Sequence, residues 1–516
     1  MRFRPLVYII GAGPGDPGLI SVRGLHCLRT ADVVLYDRLV SPRLLRHAPS
    51  HAERIDVGGA SPQALDQEAI CYLLAEKARE GRVVARLKWG DPFVFDRGGE
   101  EALFLHEQGV PFEVVPGIPA ALGVPSYAGV PLTYPGGGDT LTFVRGHEDE
   151  RQTPPRVDWV SLSRLEGTVV CYAGKRQLAA ILEELLTHGW PPTEPVAVIF
   201  DGTLPTQRTI QGTLEEVARA VATTPPTAPA ILVIGRVAAL REHLRWFDAR
   251  PLFGRRILVT RPREDAAELT DLLTVLGADA IEAPMLRFVA PDDYAPLDEA
   301  VARLDSFAWI VFTSANAVDH FVARVMAGPG DLRALKHARI CVVGPATEER
   351  LRQYRLKPDL MPPDGHPEAV AHALAQAGSL SGQAVLVPRA DVGRELFAQE
   401  LRRAGAEVTD VTAYRTIVTE PEREGEPDIY GLLLERQIDV VTFTSASAVR
   451  TFVQVIGQEQ AVDLLRLTTV ACIGPVTAEA AAQLGITTTI IPGEYTIPAL
   501  VEAIVRHNRK PEAVTT

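Results

Sequence analysis

The second half of this 516-residue chain is written twice. I257-L-V-T-R-P is answered by V385-L-V-P-R-A, F312-T-S-A-N-A-V by F443-T-S-A-S-A-V, and V343-G-P-A-T-E-E by I473-G-P-V-T-A-E. Arg261 and Arg389 lie 128 residues apart, Phe312 and Phe443 131, and Gly344 and Gly474 130. A period near 130 is too long for a solenoid repeat and suits two similar α/β domains of ordinary size. Each unit reads strand, helix, strand ending in T-S-A, helix, then a strand running into G-P-x-T and a further helix. Open α/β sheets bind ligands at the C-terminal ends of their parallel strands. Thr313, Ser314, Thr347, Thr444, Ser445 and Thr477 are therefore candidate donors aimed at one shared cleft. The competing reading is that these hydroxyls cap helix N-termini.

The front of the chain is organised differently. L6-V-Y-I-I runs into G11-A-G-P-G-D-P, an apolar run closed by glycines. That is the pattern of a buried first strand ending at a ligand crevice. It is not a dinucleotide fingerprint, because Asp16 stands where the third glycine belongs. Pro14 and Pro17 also remove N–H groups that would cradle a pyrophosphate. The loop is either shaped for close backbone approach to another ligand or a structural turn. Apolar runs then alternate with helical patterns to about residue 245 (V33-V-L-Y, Gln67 to Arg79, V83-V-A-R-L), which is α/β punctuation. Proline-rich loops at 148–155 and 223–229 interrupt it, and the stretch from Arg241 to Arg256 is the candidate linker. Two to four domains are expected at this length.

Composition narrows the class. A net charge of −13, without a basic cluster, argues against nucleic acid or an anionic membrane as the main partner. A small anionic substrate remains open. The five cysteines are scattered and never spaced C-x-x-C, so they read as core packing in a reducing compartment. No His, Cys or carboxylate cluster has metal-ligand spacing, so no metal is expected. No stretch has the length of a membrane-spanning helix, and a cytoplasmic location is expected.

Six stretches of the first half, G11-A-G-P-G-D-P, A31-D-V-V-L-Y-D, G90-D-P-F-V-F-D-R-G-G-E-E, V114-V-P-G-I, Y127-A-G-V-P-L-T and G202-T-L-P-T-Q, cover 1–240 in order. On them the first half resembles the tetrapyrrole methylase family, within it uroporphyrinogen III C-methyltransferase. The duplicated T-S-A and G-P-x-T segments and V411-T-A-Y-R-T make 255–508 similar to uroporphyrinogen III synthase. The resemblance implies an α/β protein, a two-lobed methylase (1–245), a linker (246–255) and a synthase of two flavodoxin-like α/β domains (256–510). It implies that the synthase lobes are discontinuous, 256–288 joining 418–510 around 289–417.

The resemblance also implies chemistry. The synthase would close hydroxymethylbilane to uroporphyrinogen III with inversion of ring D, largely by positioning. Tyr414 matches the tyrosine proposed to assist loss of the hydroxyl as a general acid, and a core tyrosine is its bland reading. Arg389 and Arg261 are further candidates for substrate carboxylates. The methylase would use S-adenosyl-L-methionine to methylate two pyrrole carbons, giving precorrin-2. Pro14, Gly90, Asp91, Val94, Ala120, Ala173 and Gly202 fall on cofactor-contacting positions, and Asp37 falls on the carboxylate assigned as base. A homodimer through the first half is a further expectation.

The chain departs from the family pattern at Trp89 and Asp96, each for glycine, at Gly59 for lysine, at Ala173 for methionine and at Tyr134–Pro135 for histidine–arginine. Two readings follow: a bifunctional enzyme of sirohaem and cobalamin precursor synthesis, or a synthase whose methylase domain has become a binding or docking module.

Overall fold

β1 (Val7–Gly11) is five consecutive buried residues. A strand that is apolar on both faces belongs inside a parallel sheet covered on both sides. The computed structural model describes residues 6–49, 51–58, 65–146, 157–223, 228–284, 286–391, 395–418 and 428–509. In it β1 is flanked by β4 (Val84–Lys88) and β5 (Phe112–Val115), with β2 (Val33–Tyr36) and β3 (Glu53–Asp56) beyond β4. All pairings are parallel, in the order β3-β2-β4-β1-β5. A second, mixed sheet follows from β6 (Thr140–Gly146), β7 (Gly167–Ala173), β8 (Pro195–Phe200), β9 (Arg208–Thr213) and β10 (Ala230–Ile234). Its order is β6-β7-β10-β8-β9, parallel only between β6 and β7.

The duplicated half forms two further sheets. β11 (Arg256–Val259), β12 (Asp279–Glu282), β18 (Val440–Phe443) and β19 (Thr469–Cys472) make one, in the order β12-β11-β18-β19. β13 (Leu286–Val289), β14 (Trp309–Phe312), β15 (Arg339–Val342), β16 (Ala384–Ala390) and β17 (Glu407–Val418) make the other, in the order β13-β17-β16-β14-β15. The sequence repeat pairs β11 with β16, β18 with β14 and β19 with β15. On that correspondence both sheets have one strand order, and the chain enters them at different points. A parallel bridge from Cys341 to Leu360 recurs between Ala471 and Ile490, again 130 residues on. β13 runs antiparallel on β17, so the first crossing between lobes falls between Glu282 and Leu286. That is earlier than the boundary at 288 expected from the sequence, because a short antiparallel strand caps the second sheet before its helices begin.

The segment 246–255 is not a tether. Trp246 and Phe247 pack edge-on against Tyr127, Arg250 lies 4.8 Å over the Trp246 ring, and Trp246 Nε1 donates to the Ser126 carbonyl at 2.9 Å. Phe247 is 3% exposed. At its other end Leu252 is buried and its N–H donates to Leu276 O, so the segment is packed onto the first synthase lobe as well. A second contact joins the same two bodies: Arg43 donates to Ala280 O, and Arg46 pairs with Glu282 at 2.6 Å. All five cysteines are free and buried. Among the described residues no helix is long and apolar enough to cross a membrane. Removing the Phe247 ring leaves a cavity in this junction, which costs about 3–5 kcal/mol. Phe247→Ala should therefore lower the first transition in thermal unfolding, and a transition unmoved by the change would mean the junction is only a tether.

Candidate functional site

Three glycine loops meet at the C-terminal edge of the first sheet. A Cβ on Gly11 would stand 2.4 Å from Gly117 Cα, and one on Gly117 would stand 2.2 Å from Gly90 O. Gly13 and Gly90 exchange backbone hydrogen bonds, and Gly90 has φ +70°, where L side chains are strained. Side chains then lock the loops. Asp91 accepts from Phe93 N at 2.8 Å and from Gly117 N at 3.0 Å. Asp16, the residue that breaks the dinucleotide pattern, receives the Tyr127 hydroxyl at 2.8 Å and donates its N–H to Thr203 Oγ1 at 2.9 Å. Gln207 accepts from Thr203 N at 2.9 Å, which accounts for both ends of the G202-T-L-P-T-Q stretch.

Between this edge and the second sheet lies a cavity of about 670 Å³. Of the cofactor-position residues, Pro14, Val94, Ala173 and Gly202 line it; Gly90, Asp91 and Ala120 stand in the loops and helix behind. Trp89 also lines the cavity without filling it. Its indole N–H donates to Pro14 O at 2.9 Å, tying two loops together. Tyr134 is exposed and away from the cavity lining. Gly59 lies outside the described residues.

The floor of the cavity carries charge. β4 is the central strand, and its alternate residues Arg86 and Lys88 are 1% and 2% exposed. Beneath them Glu101, fully buried, accepts through Oε1 from Arg86 at 3.2 Å, Lys88 at 3.0 Å and Gln67 at 3.1 Å. Burial pushes the Glu101 carboxyl up, but Arg86 and Lys88 outweigh it and hold the carboxyl below the usual range. Above them Arg86 donates to Asp37 at 2.6 Å, so the Asp37 side chain meets a guanidinium. Lys88 Nζ is 3.0 Å from Asp96 and 3.9 Å from Asp37. Charges at alternate positions of an otherwise apolar strand, followed by the glutamates of G-G-E-E, were the signal for this cluster, and sequence reasoning passed over it.

A second cavity, of about 340 Å³, opens in the synthase half and is lined by Thr313, Ser314, Arg389 and Tyr414 among others. Ser314 accepts from Ala317 N as the N-cap of the helix Ala315–Ala327, and its hydroxyl also lies 3.2 Å from the Tyr414 hydroxyl. His320, on the same helix, stacks on the Tyr414 ring at 5.0 Å and 17°. The Arg389 guanidinium is held by Asp410 at 2.6 Å. The expected single cleft of six hydroxyls differs from this arrangement. Thr347 is buried and gives its hydroxyl to Val343 O one turn back at 2.9 Å, a local bond that competes with outward pointing. Thr477 is buried at the corresponding turn. Thr444 and Ser445 belong to the other lobe, where Ser445 caps a helix through Ala448 N.

Glu101→Ala would leave Arg86 and Lys88 buried without their shared carboxylate, a loss of about 3–5 kcal/mol at neutral pH. The wild-type carboxyl is held low, so its stabilisation is present above the usual carboxylate range and lost as pH falls through its native value. Denaturant unfolding should therefore show the gap between variant and wild type narrowing in acid. A gap that is small or pH-independent would contradict the electrostatic role.

Residues 6–218 match the family model for Tetrapyrrole (Corrin/Porphyrin) Methylases, and residues 267–502 that for Uroporphyrinogen-III synthase HemD. The chain is similar to the porphyrin biosynthesis protein HemD of Ruminiclostridium josui, 34% identical over 500 residues and covering 97% of each chain. It is similar to the uroporphyrinogen-III C-methyltransferase of Bacillus subtilis (strain 168), 40% identical over 332 residues, 64% of this chain and 68% of that one. Among solved structures it is similar to the uroporphyrin-III C-methyl transferase of Thermus thermophilus in complex with S-adenyl homocysteine. That match is 40% identical, covers 45% of this chain and 99% of the other, and has a TM-score of 0.40. Two family matches in tandem and a relative spanning the whole length place this protein in the family that fuses a tetrapyrrole methylase to a uroporphyrinogen-III synthase.

Proposed function

We propose that the second half closes hydroxymethylbilane to uroporphyrinogen III with inversion of ring D, and that the first half C-methylates this product twice to precorrin-2. S-adenosyl-L-methionine is the methyl donor. The observation that carries the methylase reading is the 670 Å³ cavity that joins a small apolar lining to a floor bearing the Arg86-held carboxylate Asp37. The lining fits the donor: Pro14, Val94, Ala173 and Gly202 are small residues on the cavity wall. Bound there, the donor supplies an electrophilic methyl group on a sulfonium. The chain supplies alignment and a proton acceptor. Methylation of a pyrrole carbon leaves a proton to be lost, and Asp37, oriented by Arg86, receives it. The Trp89 bond to Pro14 holds the loop in which the donor lies.

In the second half Tyr414 donates a proton to the departing hydroxyl of hydroxymethylbilane, which leaves as water while the neighbouring pyrrole nitrogen supplies the electron pair. Ser314 and the stacked His320 hold the phenol in place. Thr313 and Arg389, on the same cavity wall, bind substrate carboxylates. The fused order of activities is chemically coherent, since the product of one half is the substrate of the other. Five free buried thiols suit a cytoplasmic setting.

The test is a product assay on purified protein fed hydroxymethylbilane with and without the donor, read by mass and isomer-resolving chromatography. Uroporphyrinogen III that gains two methyl groups only with the donor is the expected result; the unrearranged isomer, or no methyl gain, would sink the corresponding half. Asp37→Asn should slow methyl transfer by about 10²-fold or more and leave cyclisation intact. Tyr414→Phe should do the reverse, slowing cyclisation by about 10²-fold while methylation of supplied uroporphyrinogen III continues.

A further inference from the structure

Asp96 stands where the family pattern carries glycine, and it adds a carboxyl to the wall of the methylase cavity. Its side chain is 23% exposed and held from two sides: Lys88 Nζ at 3.0 Å and the Arg97 N–H at 2.6 Å, both on Oδ1. Neither bond uses Oδ2. The residue before it, Phe95, has φ +53°, a conformation rarely adopted by a bulky side chain, and its ring sits 5.2 Å edge-on to Tyr172 across the cavity. Strain of this kind persists only where surrounding contacts over-determine the backbone. Here it turns the chain so that Phe95 reaches the second sheet while Asp96 turns back to Lys88.

The groups around Asp96 are Lys88 and Arg86 from β4, Asp37 from the end of β2, Arg97 beside it, and Glu100 and Glu101 from the helix Gly98–Glu107. Lys88 is shared among Asp96, Glu101 and Asp37, so its single charge is divided among three carboxyls. Burial pushes the Asp96 carboxyl above the usual range, against the pull of Lys88. A carboxyl raised toward neutrality is a better proton acceptor near the operating pH than an ordinary aspartate. Of what a uroporphyrinogen presents, its pyrrole N–H core is what a carboxylate on this wall can accept from, while the cations of the same lining suit its acetate and propionate groups.

We infer that Asp96 is a second proton-accepting residue of the methylating pocket, meeting a pyrrole N–H of the substrate. In the step it serves, the S–CH₃ bond of the donor breaks and its electron pair stays on sulfur. The new C–C bond takes a π pair from the pyrrole, leaving a protonated imine. The N–H bond then breaks, its pair stays on nitrogen, and in one of the two methylations the proton passes to Asp96, Asp37 taking the proton of the other.

This inference rests on the methylase reading above, and the experiment separates the two. Asp96→Asn and Asp96→Glu are compared with wild type in methyl transfer to uroporphyrinogen III across pH. S-adenosylhomocysteine binding by calorimetry checks that each variant is folded. The expected result for Asp96→Asn is a fall in kcat of about 10²-fold, unchanged S-adenosylhomocysteine binding and loss of the acidic limb of the pH–kcat profile. Asp96→Glu should restore the limb. In the ligand-free protein, an infrared carboxylic-acid band should persist above the pH at which ordinary aspartates ionise and vanish in Asp96→Asn. Wild type that transfers no methyl overturns the methylase reading and this inference together. Wild type that is active beside an Asp96→Asn with the same kcat and pH profile, or with only a raised KM, overturns this inference alone.

Discussion

Arg86 and Lys88 are two cations buried in the central strand of the first sheet, and Glu101 is the carboxylate that makes their burial tolerable. Taking each ion out of water costs several kcal/mol, which attraction returns only with good geometry and further hydrogen bonds. Here three donors converge on one oxygen of Glu101, while its other oxygen has no hydrogen-bond partner among the described residues. Replacing a buried ion cluster by apolar side chains of the same volume is often neutral or stabilising. What the ions add is orientation: their upper faces are where Asp37 and Asp96 are held, at the one edge of the sheet where the glycine loops leave room for ligands. The floor and the roof of the cavity thus depend on one strand.

The synthase half solves a different problem with the same element twice. Both sheets share a strand order, yet one is built from two separated stretches of chain and the other from one continuous stretch. Parallel packing depends on which strands are neighbours, not on where the chain enters, so the repeat survives this permutation. The two lobes are not equivalent in equipment. Tyr414, His320 and Arg389 gather in one lobe, and the matching T-S-A turn of the other lobe presents a helix cap. The proposed ring closure is a positioning task, for which an asymmetric pair of lobes would offer one side for proton transfer and the other for grip.

The junction between the halves is packed on both sides. The aromatic cluster around Phe247 fixes it to the methylase, and Leu252 fixes it to the first synthase lobe. The Arg43 and Arg46 contacts leave from the segment that begins at Asp37, so the loop carrying that carboxylate also touches the edge strand β12. Geometry at one site is therefore not independent of the lobe beside it.

Much of this was legible in the chain. The 130-residue repeat and the first glycine loop specified the α/β class, the duplicated second half and Pro14 at a ligand-binding edge, because turn chemistry and hydrophobic period are local properties; Gly202, Asp37 and Tyr414 were singled out by the resemblance to the two families. Direction of side chains was not legible. Thr347 and Ser314 both sit where a strand hands over to a helix, and only the packed helix shows one hydroxyl spent on its own backbone and the other beside Tyr414. Nor could the sequence show that Trp89 donates to Pro14 and leaves the cavity open, or that Lys88 is shared by carboxyls from residues 37, 96 and 101. Those are contacts between distant segments, decided by which strands become neighbours, and strand neighbours are a property of the whole fold.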